Sequence, residues 1–552
     1  MAPAEDWVVR TAEQVRAEAE RRHSGRPPTC ASGISPSGPV HLGNLRELMV
    51  PHLVADQVRR NGAHGTADCR HILSWDDYDR FRRVPAGFDE SFAEHVGRPL
   101  TAVPDPCGEH GNWAEHFKEP LRAALAELGV RVTEISQTQM YTSGAYTGQI
   151  ITAMRRRSDI ETVLVRYQTK RAADPDDDEP RAAAAYYPFR PYCAACGRDD
   201  TTVTAFDDDT TEISYTCACG AAIGPLPIAE VAGKLVWKVD WPMRWAYEQV
   251  TFEPAGVDHS SPGSSFTVGG ELVREIFGGE MPLHFAYSFV GTSGSAKMSG
   301  SRGGAPTPAD ALEIFEAPLL RWLYARRRPE QAITLAFDAE VGRVYDEWDK
   351  LTRQVADGEA DPLRQAVWAR SAGTADGLLP ATPRPLPFRT LASVADITAG
   401  DQVQILRIVR DLTIGDPVTS LAQVRPRLDC AQAWVTGYLT PQERTQVRAE
   451  PDAATLAALS GEERDAVKLL TEGMTADWSL EGLTTLLYGI PKLQRGMTID
   501  AKPTDEIKKA QRAWFILLYQ LLIGKDTGPR LPTLLLAVGQ DRIRSLLTPG
   551  AA

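Results

Sequence analysis

The chain has 552 residues, 43% hydrophobic, 24% charged and 8% aromatic, with 60 basic side chains against 73 acidic ones and a formal net charge of −13. That length suggests about three or four domains, each able to bury a full core. The composition excludes wholesale disorder, collagen and a membrane barrel, and the acidity excludes a uniformly basic nucleic-acid coat while leaving room for local basic patches.

No apolar run approaches the roughly 18 residues of a membrane span, and the start MAPAEDWVVRTAEQVRAEAERR is charged and helical, without a signal-peptide core. A cytoplasmic chain with no membrane partner is expected. In chain order, residues 7–22 read as a helix. Pro28–Ser32 reads as a short strand ending at Gly33, followed by the turn-rich ISPSGPVHLGN. A helix is expected from about Asn44, with Leu45, Leu48, Met49 and Leu53 on one face and Pro51 bending or splitting it. Arg70–Trp75 reads as a second strand running into Asp76, Asp77 and Asp79. Strand, helix and strand within about 50 residues open a right-handed parallel βαβ unit. Residues 90–230 read as an insertion. It is helical at 114–129 and around 144–166, has a solvated acidic loop, DPDDDE, at 174–179, and continues as strand-like pieces around clustered cysteines. Strands are expected again at Lys234–Val239 and Leu283–Val290, before the glycine-rich GTSGSAKMSGSRGG. From about 308 the chain reads as mostly helical, with LLPATPRPLPF at 378–388 as a linker.

Three constellations carry chemistry. Pro36-Ser37-Gly38-Pro39-Val40-His41-Leu42-Gly43-Asn44 joins a strand end, a small-residue loop and a helix N-terminus. Unpaired N–H groups and the helix dipole suit a phosphate there. Gly38 and Gly43 let a purine and a triphosphate approach the backbone, and His41 and Asn44 can donate to phosphate oxygens. The plainer alternative makes these two residues loop and cap only. Farther along, Lys297-Met298-Ser299-Gly300-Ser301 lies among Gly291, Gly294, Gly303 and Gly304. A lysine on such a loop suits charge that develops only in a transition state, with serine hydroxyls completing a phosphate shell; the alternative is a solvated loop. Cys193-Ala-Ala-Cys196 and Cys217-Ala-Cys219-Gly220 form the pattern of a structural, tetrahedral zinc ribbon with no open catalytic position. The C-x-C spacing departs from C-x-x-C and is expected to strain the site; reduced thiols in a metal-free knuckle are the alternative. Cys30, Cys69, Cys107 and Cys430 read as scattered. Arg155–Arg157 and Arg326–Arg328 read as solvated faces, and Trp514 and Phe515 as core.

Together, the HxGN loop and the distant KMSxS loop resemble the HIGH and KMSKS signatures of class I aminoacyl-tRNA synthetases. More closely, the chain is similar to class I lysyl-tRNA synthetases of the actinobacterial or archaeal type. The likeness runs over nearly the whole chain, through ASGISPSGPVHLGNLRE, HILSWDDYDR, YTSGAYTGQI, GKLVWKVDWPMRW, GVDHSSPGSSF, DAKPTDEIKKAQRAWF and TGPRLPTLLL. It implies an α/β fold: a Rossmann-like parallel sheet from 1–95 and 231–307, a zinc-bearing connective insertion at 96–230, a helical stem-contact region and linker at 308–385, and an α-helical anticodon-binding domain at 386–552. It also implies activation of L-lysine by ATP with Mg²⁺, then transfer of the lysyl group to the 3′ end of tRNA(Lys), by a monomer carrying a structural Zn²⁺. By position, His41, Asn44 and Lys297 would be catalytic. Ser37, Gly38, His41, Gly43, Asn44, Lys297, Met298, Ser299 and Ser301 would hold ATP. Gly33, Ser35, Ser37, Asp76, Trp237, His259 and Tyr287 would form the lysine pocket. Asp76 would take an ammonium, and Trp237 or Trp241, with Tyr287, would line the butyl stem. Trp237 and Trp241 are expected in a strand-rich segment, one of them as core, and Asp77 or Asp79 alternatively caps a helix. Gly300, where this family usually carries serine, and the C-x-C pair are departures. They leave open an auxiliary copy, tolerant of a synthetase inhibitor or supplying lysyl groups to a biosynthetic pathway. A non-catalytic nucleotide-binding regulator is also left open, against intact His41, Asn44 and Lys297.

Overall fold

The structure, a computed structural model, describes residues 6–22, 25–61, 68–167, 185–260, 264–292, 304–413, 415–440 and 442–548. The acidic stretch at 174–179 and the whole of Lys297–Ser301 lie outside them. The chain forms two compact units. The first comprises Met1–Leu312, Ala317–Ala336 and Leu351–Pro380; the second comprises Glu313–Glu316, Phe337–Lys350 and Ala381–Ala552.

In the first unit, α1 (Trp7–Arg21) begins where Asp6 accepts from the Val8 N–H. Strand β1 (Thr29–Ile34), helix α2 (Leu42–Arg60) and strand β2 (Arg70–Trp75) make the expected unit, with β1 and β2 parallel from the Thr29–Arg70 pair to the Ile34–Trp75 pair. Helix α2 begins at Leu42, ahead of the expected Asn44, because His41 caps it. Pro51 does not split it. Proline at 51 removes the N–H that would bond the Glu47 carbonyl one turn earlier, and the Ser32 hydroxyl donates to that carbonyl at 3.0 Å instead. The backbone acceptor left by proline is thereby satisfied from β1.

After α3 (Trp113–Glu127), strand β3 (Thr133–Ser136) adds in parallel to β2. Helices α4 (Gln137–Thr142), α5 (Thr147–Arg155) and α6 (Arg157–Arg166) follow. Strand β4 (Phe189–Pro191) pairs antiparallel with β8 (Gly233–Leu235). Between them lies an antiparallel sheet of β5 (Thr201–Phe206), β6 (Glu212–Cys217) and β7 (Ala222–Pro227). The strand expected over Lys234–Val239 stops at Leu235, and α7 (Trp237–Glu248) takes its place. The reason is in the spacing: Trp237, Trp241 and Trp245 recur every four residues, one stripe on a helix and not one face of a strand.

Strand β9 (Ala255–Gly256), helix α8 (Ser265–Glu275) and strand β10 (Ala286–Tyr287) come next, with β9 and β10 parallel. Just upstream of these strands, Phe252 bridges Cys30 of β1 in parallel and bridges Leu283 on its other side. The parallel order therefore runs β10, β9, β1, β2, β3. The strand expected over Leu283–Val290 is broken, its end belonging to β11 (Val290–Thr292), which pairs with β12 (Ile333–Leu335). One face of the sheet, Ala31, Ile72 and Ile135, packs on Trp241, Trp245, Phe266 and Val273 of α7 and α8. Helices α9 (Pro308–Ile314), α10 (Ala317–Ala325), α11 (Glu340–Ala356) and α12 (Pro362–Ala372) follow, with a small hairpin of β13 (Gly373–Thr374) and β14 (Gly377–Leu378).

The second unit is helical: residues 340–350 of α11, then α13 (Phe388–Ile397), α14 (Gln402–Leu412), α15 (Arg427–Tyr438), α16 (Ala453–Ala458), α17 (Gly461–Gly473), α18 (Leu480–Leu493), α19 (Asp505–Ile523), α20 (Leu531–Val538) and α21 (Gln540–Leu547). Leu470, Leu487, Trp514, Leu518, Leu534 and Ile543 share one core, against which Phe515 packs. Arg427 is buried in the same unit and pairs with both Glu316 and Asp349 at 2.8 Å. No described helix is long and apolar enough to cross a membrane.

Candidate active site

The carboxyl ends of β10, β9, β1, β2 and β3 open on one cavity of about 230 Å³. Ser35 follows β1, Asp76 follows β2, Gln137 follows β3, Gly256 ends β9 and Tyr287 ends β10, and all five line it. This is where open parallel sheets bind ligands, because the ends of the strands and the loops beyond them leave a crevice. A second cavity of about 430 Å³, lined by Ser35, Ser37, Gly38, His41, Asn44 and Arg82 among others, adjoins it through Ser35 and Asn44.

The junction of the two cavities is the N-terminus of α2. His41 and Asn44 form a reciprocal capping box: the Asn44 N–H donates to His41 Nδ1 at 3.3 Å, and the His41 N–H donates to Asn44 Oδ1 at 3.3 Å. The box sets the chemistry that each side chain retains. With Nδ1 accepting, a neutral imidazole carries its proton on Nε2 and is a donor there. With Oδ1 accepting, Asn44 keeps its two amide hydrogens as donors. Capping and anion binding are thus compatible, and the cap orients the donors. Trp113 braces the loop by donating from Nε1 to the Ser37 carbonyl at 3.2 Å. The Leu42 N–H donates to the Pro306 carbonyl at 2.9 Å, which joins the chain just beyond the KMSGS segment to the same helix N-terminus. A Cβ on Gly38 would touch only Pro85, at 3.6 Å, and one on Gly33 only the Ser74 carbonyl, at 3.9 Å. Neither glycine is demanded by the protein's own packing; both keep the cavity walls low.

The first cavity is acidic. Glu47, Asp76, Glu248 and Glu253 line it, against a single guanidinium, Arg244. Arg244 is committed: its guanidinium donates to Asp76 at 2.7 Å and Ser74 Oγ at 2.9 Å, pairs with Asp240 at 3.1 Å, and lies over the Trp237 ring at 5.3 Å. Asp76 therefore already holds a cation, and is not an open counter-ion as the sequence suggested. The open carboxylates are two that the sequence reading passed over. Glu47, in α2 one turn beyond Asn44, has no cationic partner among the described residues. Burial, with the charges of Glu253 and Asp76 adding to it, pushes its carboxyl up to about 8. Glu253 accepts from Trp241 Nε1 at 3.0 Å and Trp245 Nε1 at 2.6 Å, and burial raises it too. The aromatic wall is Trp237, stacked on Trp241 at 5.2 Å, with Trp245 and Tyr287. Such a cavity suits a cation with an apolar stem.

Of the residues expected to form the amino-acid pocket, Gly33, Ser35, Asp76, Trp237, His259 and Tyr287 line this cavity, and Ser37 lines the adjoining one. Ser37, Gly38, His41 and Asn44 share the second cavity, and Gly43 lies in the first turn of α2. Lys297, Met298, Ser299 and Ser301 fall outside the described residues. Asp77 is structural: it accepts from Lys118 Nζ at 2.7 Å and from the Thr138 N–H, at the start of α4, at 2.8 Å. Asp79 pairs with Lys234. Glu47 sits inside the apolar run of α2 and Glu253 next to Phe252; a carboxylate at core spacing was the available signal for both.

In the insertion, the four cysteine sulfurs lie within 4.8 Å of one another, Cys193 3.8 Å from Cys219 and Cys196 3.7 Å from Cys217. Four sulfurs at about 2.3 Å from a tetrahedral zinc are separated by roughly 3.8 Å, so the donor set fits that ion. Gly197 (φ 76°) and Gly220 (φ 92°) make the left-handed turns that close both pairs, and the C-x-C side converges as well as the C-x-x-C side. Residues 5–373 match the family model described as tRNA synthetases class I (K). Over 98% of both chains, this one is 56% identical to a protein of Streptomyces coelicolor called lysine–tRNA ligase. It is 32% identical to the protein of that name in Pyrococcus horikoshii, over 92% of this chain and 93% of that one, and 31% identical to that of Treponema pallidum, over 94% of each.

Proposed function

We propose, for a chain that belongs to the class I (K) tRNA synthetase family, a division of labour between the two joined cavities. The reaction is that of a lysine–tRNA ligase: lysine and ATP give lysyl-adenylate and pyrophosphate, and the lysyl group then moves to tRNA. The acidic cavity takes lysine. Its ammonium stem lies along Trp237, Trp241 and Tyr287 toward Glu47 and Glu253, with Asp76 and Arg244 as a fixed, neutral pair beside it. Ser35, Ser37, Gly33 and His259 bound the same space. The second cavity takes ATP as its Mg²⁺ complex, with His41 Nε2 and the Asn44 amide donating to phosphate oxygens above the first turn of α2, beside Ser37, Gly38 and Gly43.

Little covalent chemistry is asked of the protein. The lysine carboxylate attacks the α-phosphorus, pyrophosphate leaves, and fixed donors stabilise the charge that builds on the phosphoryl oxygens. Lys297, with Met298, Ser299 and Ser301, acts at that step. Lys297→Ala is expected to cut adenylate formation while leaving lysine affinity nearly unchanged, the signature of a contact made in the transition state. Zn²⁺ on Cys193, Cys196, Cys217 and Cys219 is structural, since four protein ligands leave no open position. The second unit contacts tRNA(Lys) through its helices, and the enzyme works as a cytoplasmic monomer.

The observation that carries this reading is the pair of carboxylates, Glu47 and Glu253, neither in an ion pair with a cation among the described residues, in a cavity that opens onto the α2 capping box. ATP–pyrophosphate exchange with each amino acid tests it. Exchange with lysine alone is expected; exchange driven equally by an uncharged side chain of similar length would overturn the pocket assignment.

A further inference from the structure

The parallel sheet buries a titratable group that lines neither cavity. His71 of β2 is 1% exposed. Ala31 and Ile72 pack on the side of α7 and α8, so Ser32 and His71, each one position away, point to the opposite face, where α2 lies. His71 Nε2 stands 2.9 Å from Ser32 Oγ. The Ser32 hydroxyl has one hydrogen and gives it to the Glu47 carbonyl at 3.0 Å. Its oxygen must then accept from His71, which fixes an imidazole proton on Nε2. Burial, with the Arg59 charge adding to it, pushes this imidazole down to about 3, so His71 is neutral near pH 7. The chain of contacts has a direction: His71 donates to Ser32, and Ser32 donates to Glu47.

Satisfying the carbonyl that Pro51 leaves unpaired needs only the hydroxyl. A second polar group buried behind it costs desolvation. No described residue bonds its other nitrogen, Nδ1. What His71 adds is a fixed orientation for a hydroxyl that would otherwise rotate. The next residue of β1 shows what that orientation serves. The Gly33 N–H donates to the Glu47 carboxyl. Consecutive residues of β1 therefore hold both ends of one residue of α2, the carbonyl through Ser32 and the carboxyl through Gly33. A carboxyl selects a cation well when its own position is held from behind.

We propose that His71 and Ser32 are positioning residues for Glu47: they lock the turn of α2 from which it projects, so that its carboxyl stays on the Gly33 N–H and faces the acidic cavity. This rests on the reading of Glu47 as the anchor of the lysine ammonium. Neither residue touches the substrate; both act through the carboxyl.

The test reads Glu47 twice in the full-length protein, by lysine kinetics and by a crystal structure without lysine. His71→Leu removes the donor and keeps most of the bulk. Its KM for lysine in ATP–pyrophosphate exchange is expected to rise about 3- to 10-fold, the worth of one hydrogen bond, with kcat and the KM for ATP close to wild type. His71→Gln, whose amide can donate from nearly the same place, should restore the lysine KM. A merely structural histidine would lower stability with neither that split nor that rescue. Adding His71→Leu to Glu47→Gln should raise the KM no further, because both changes act through one carboxyl. Should His71→Leu fail to fold, Ser32→Ala removes the same link with a smaller change and should show the same split and the same non-additivity. In the lysine-free structure of either variant, the Glu47 carboxyl is expected to have left the Gly33 N–H. A carboxyl still seated there in Ser32→Ala protein would overturn the proposal, and so would additive effects with Glu47→Gln. A displaced carboxyl with an unchanged lysine KM would uphold the positioning and instead remove Glu47 from the lysine pocket.

Discussion

Glu47 and Asp76 divide the electrostatics of the pocket between them. Asp76 is neutralised by Arg244, which also reaches Ser74 and Asp240, so this pair sets the shape of the cavity without adding net charge. Glu47 has no such partner among the described residues, and burial pushes its carboxyl up to about 8. The sign of the consequence follows from linkage. A carboxyl raised from 4.5 toward 8 holds its proton in the folded protein at pH values between the two. Its contribution to stability is therefore fullest below about 4.5 and declines as pH climbs toward 8. On the proposed reading, lysine, whose ε-ammonium stays charged until roughly pH 10, would bind the ionised form by displacing that proton. KM for lysine is accordingly expected to fall as pH rises from 6 to 8, by up to about tenfold per unit, and then to level off. Glu47→Gln should raise KM at pH 8 by about 10- to 100-fold, the worth of a charge-assisted contact, and should flatten the profile. A Glu47→Gln enzyme with the wild-type profile would move the ammonium's partner elsewhere, to Glu253. Asp76 looked like the counter-ion in the sequence because it follows a strand; Arg244, 168 positions away in the chain, could not be seen to occupy it.

At the scale of elements, the α2 N-terminus was largely legible. A strand, a small-residue loop and a helix start are local features, and so are His41 and Asn44. Less legible was the way the two residues hold each other in a reciprocal cap, and the continuity of α2 through Pro51, which depends on the Ser32 hydroxyl donating across from β1. Two substitutions separate capping from phosphate binding. His41→Ala removes both and should lower stability by about 1 kcal/mol as well as activity. His41→Asn restores a capping oxygen but not the Nε2 donor, so stability should recover while adenylate formation stays impaired; thermal melts and pyrophosphate exchange read the two effects apart. Helix α7 shows the opposite failure. The sequence reading places Trp237 in a strand and Trp241 in a strand-rich segment, while the four-residue spacing, the better guide, puts Trp237, Trp241 and Trp245 on one helical stripe. In the knuckle, the C-x-C pair was expected to strain the site. With left-handed turns at Gly197 and Gly220 beside the two pairs and all four sulfurs within 4.8 Å of one another, Cys217→Ser is expected to lose as much zinc as Cys193→Ser. Both should damage transfer to tRNA more than lysine activation, because the knuckle shares no residue with the two cavities.

For the molecule as a whole, the order of parallel strands could be read only in part. β1 and β2 are close in sequence, but the joining of β9 and β10 to β1 rests on Phe252, whose bridge to Cys30 spans more than 200 residues. The helical second unit was evident as composition, yet its buried Arg427 network was not, since Glu316, Asp349 and Arg427 come from separate stretches. Removing one member of a buried network leaves the others without compensation, so Arg427→Met should destabilise this unit by about 3–5 kcal/mol. Lysine activation in the first unit should be spared at temperatures where the variant stays folded, while aminoacylation of tRNA falls.

On the proposed reading the acidic cavity selects an ammonium side chain and Glu47 is its anchor. The most direct test is ATP–pyrophosphate exchange measured against lysine concentration from pH 6 to 9, for wild-type enzyme and for Glu47→Gln. The expected result is a wild-type KM that falls up to about pH 8 and then stays level, and a variant KM that is raised and nearly independent of pH. Superimposable pH profiles for the two enzymes, or an unchanged KM in the variant, would contradict the claim.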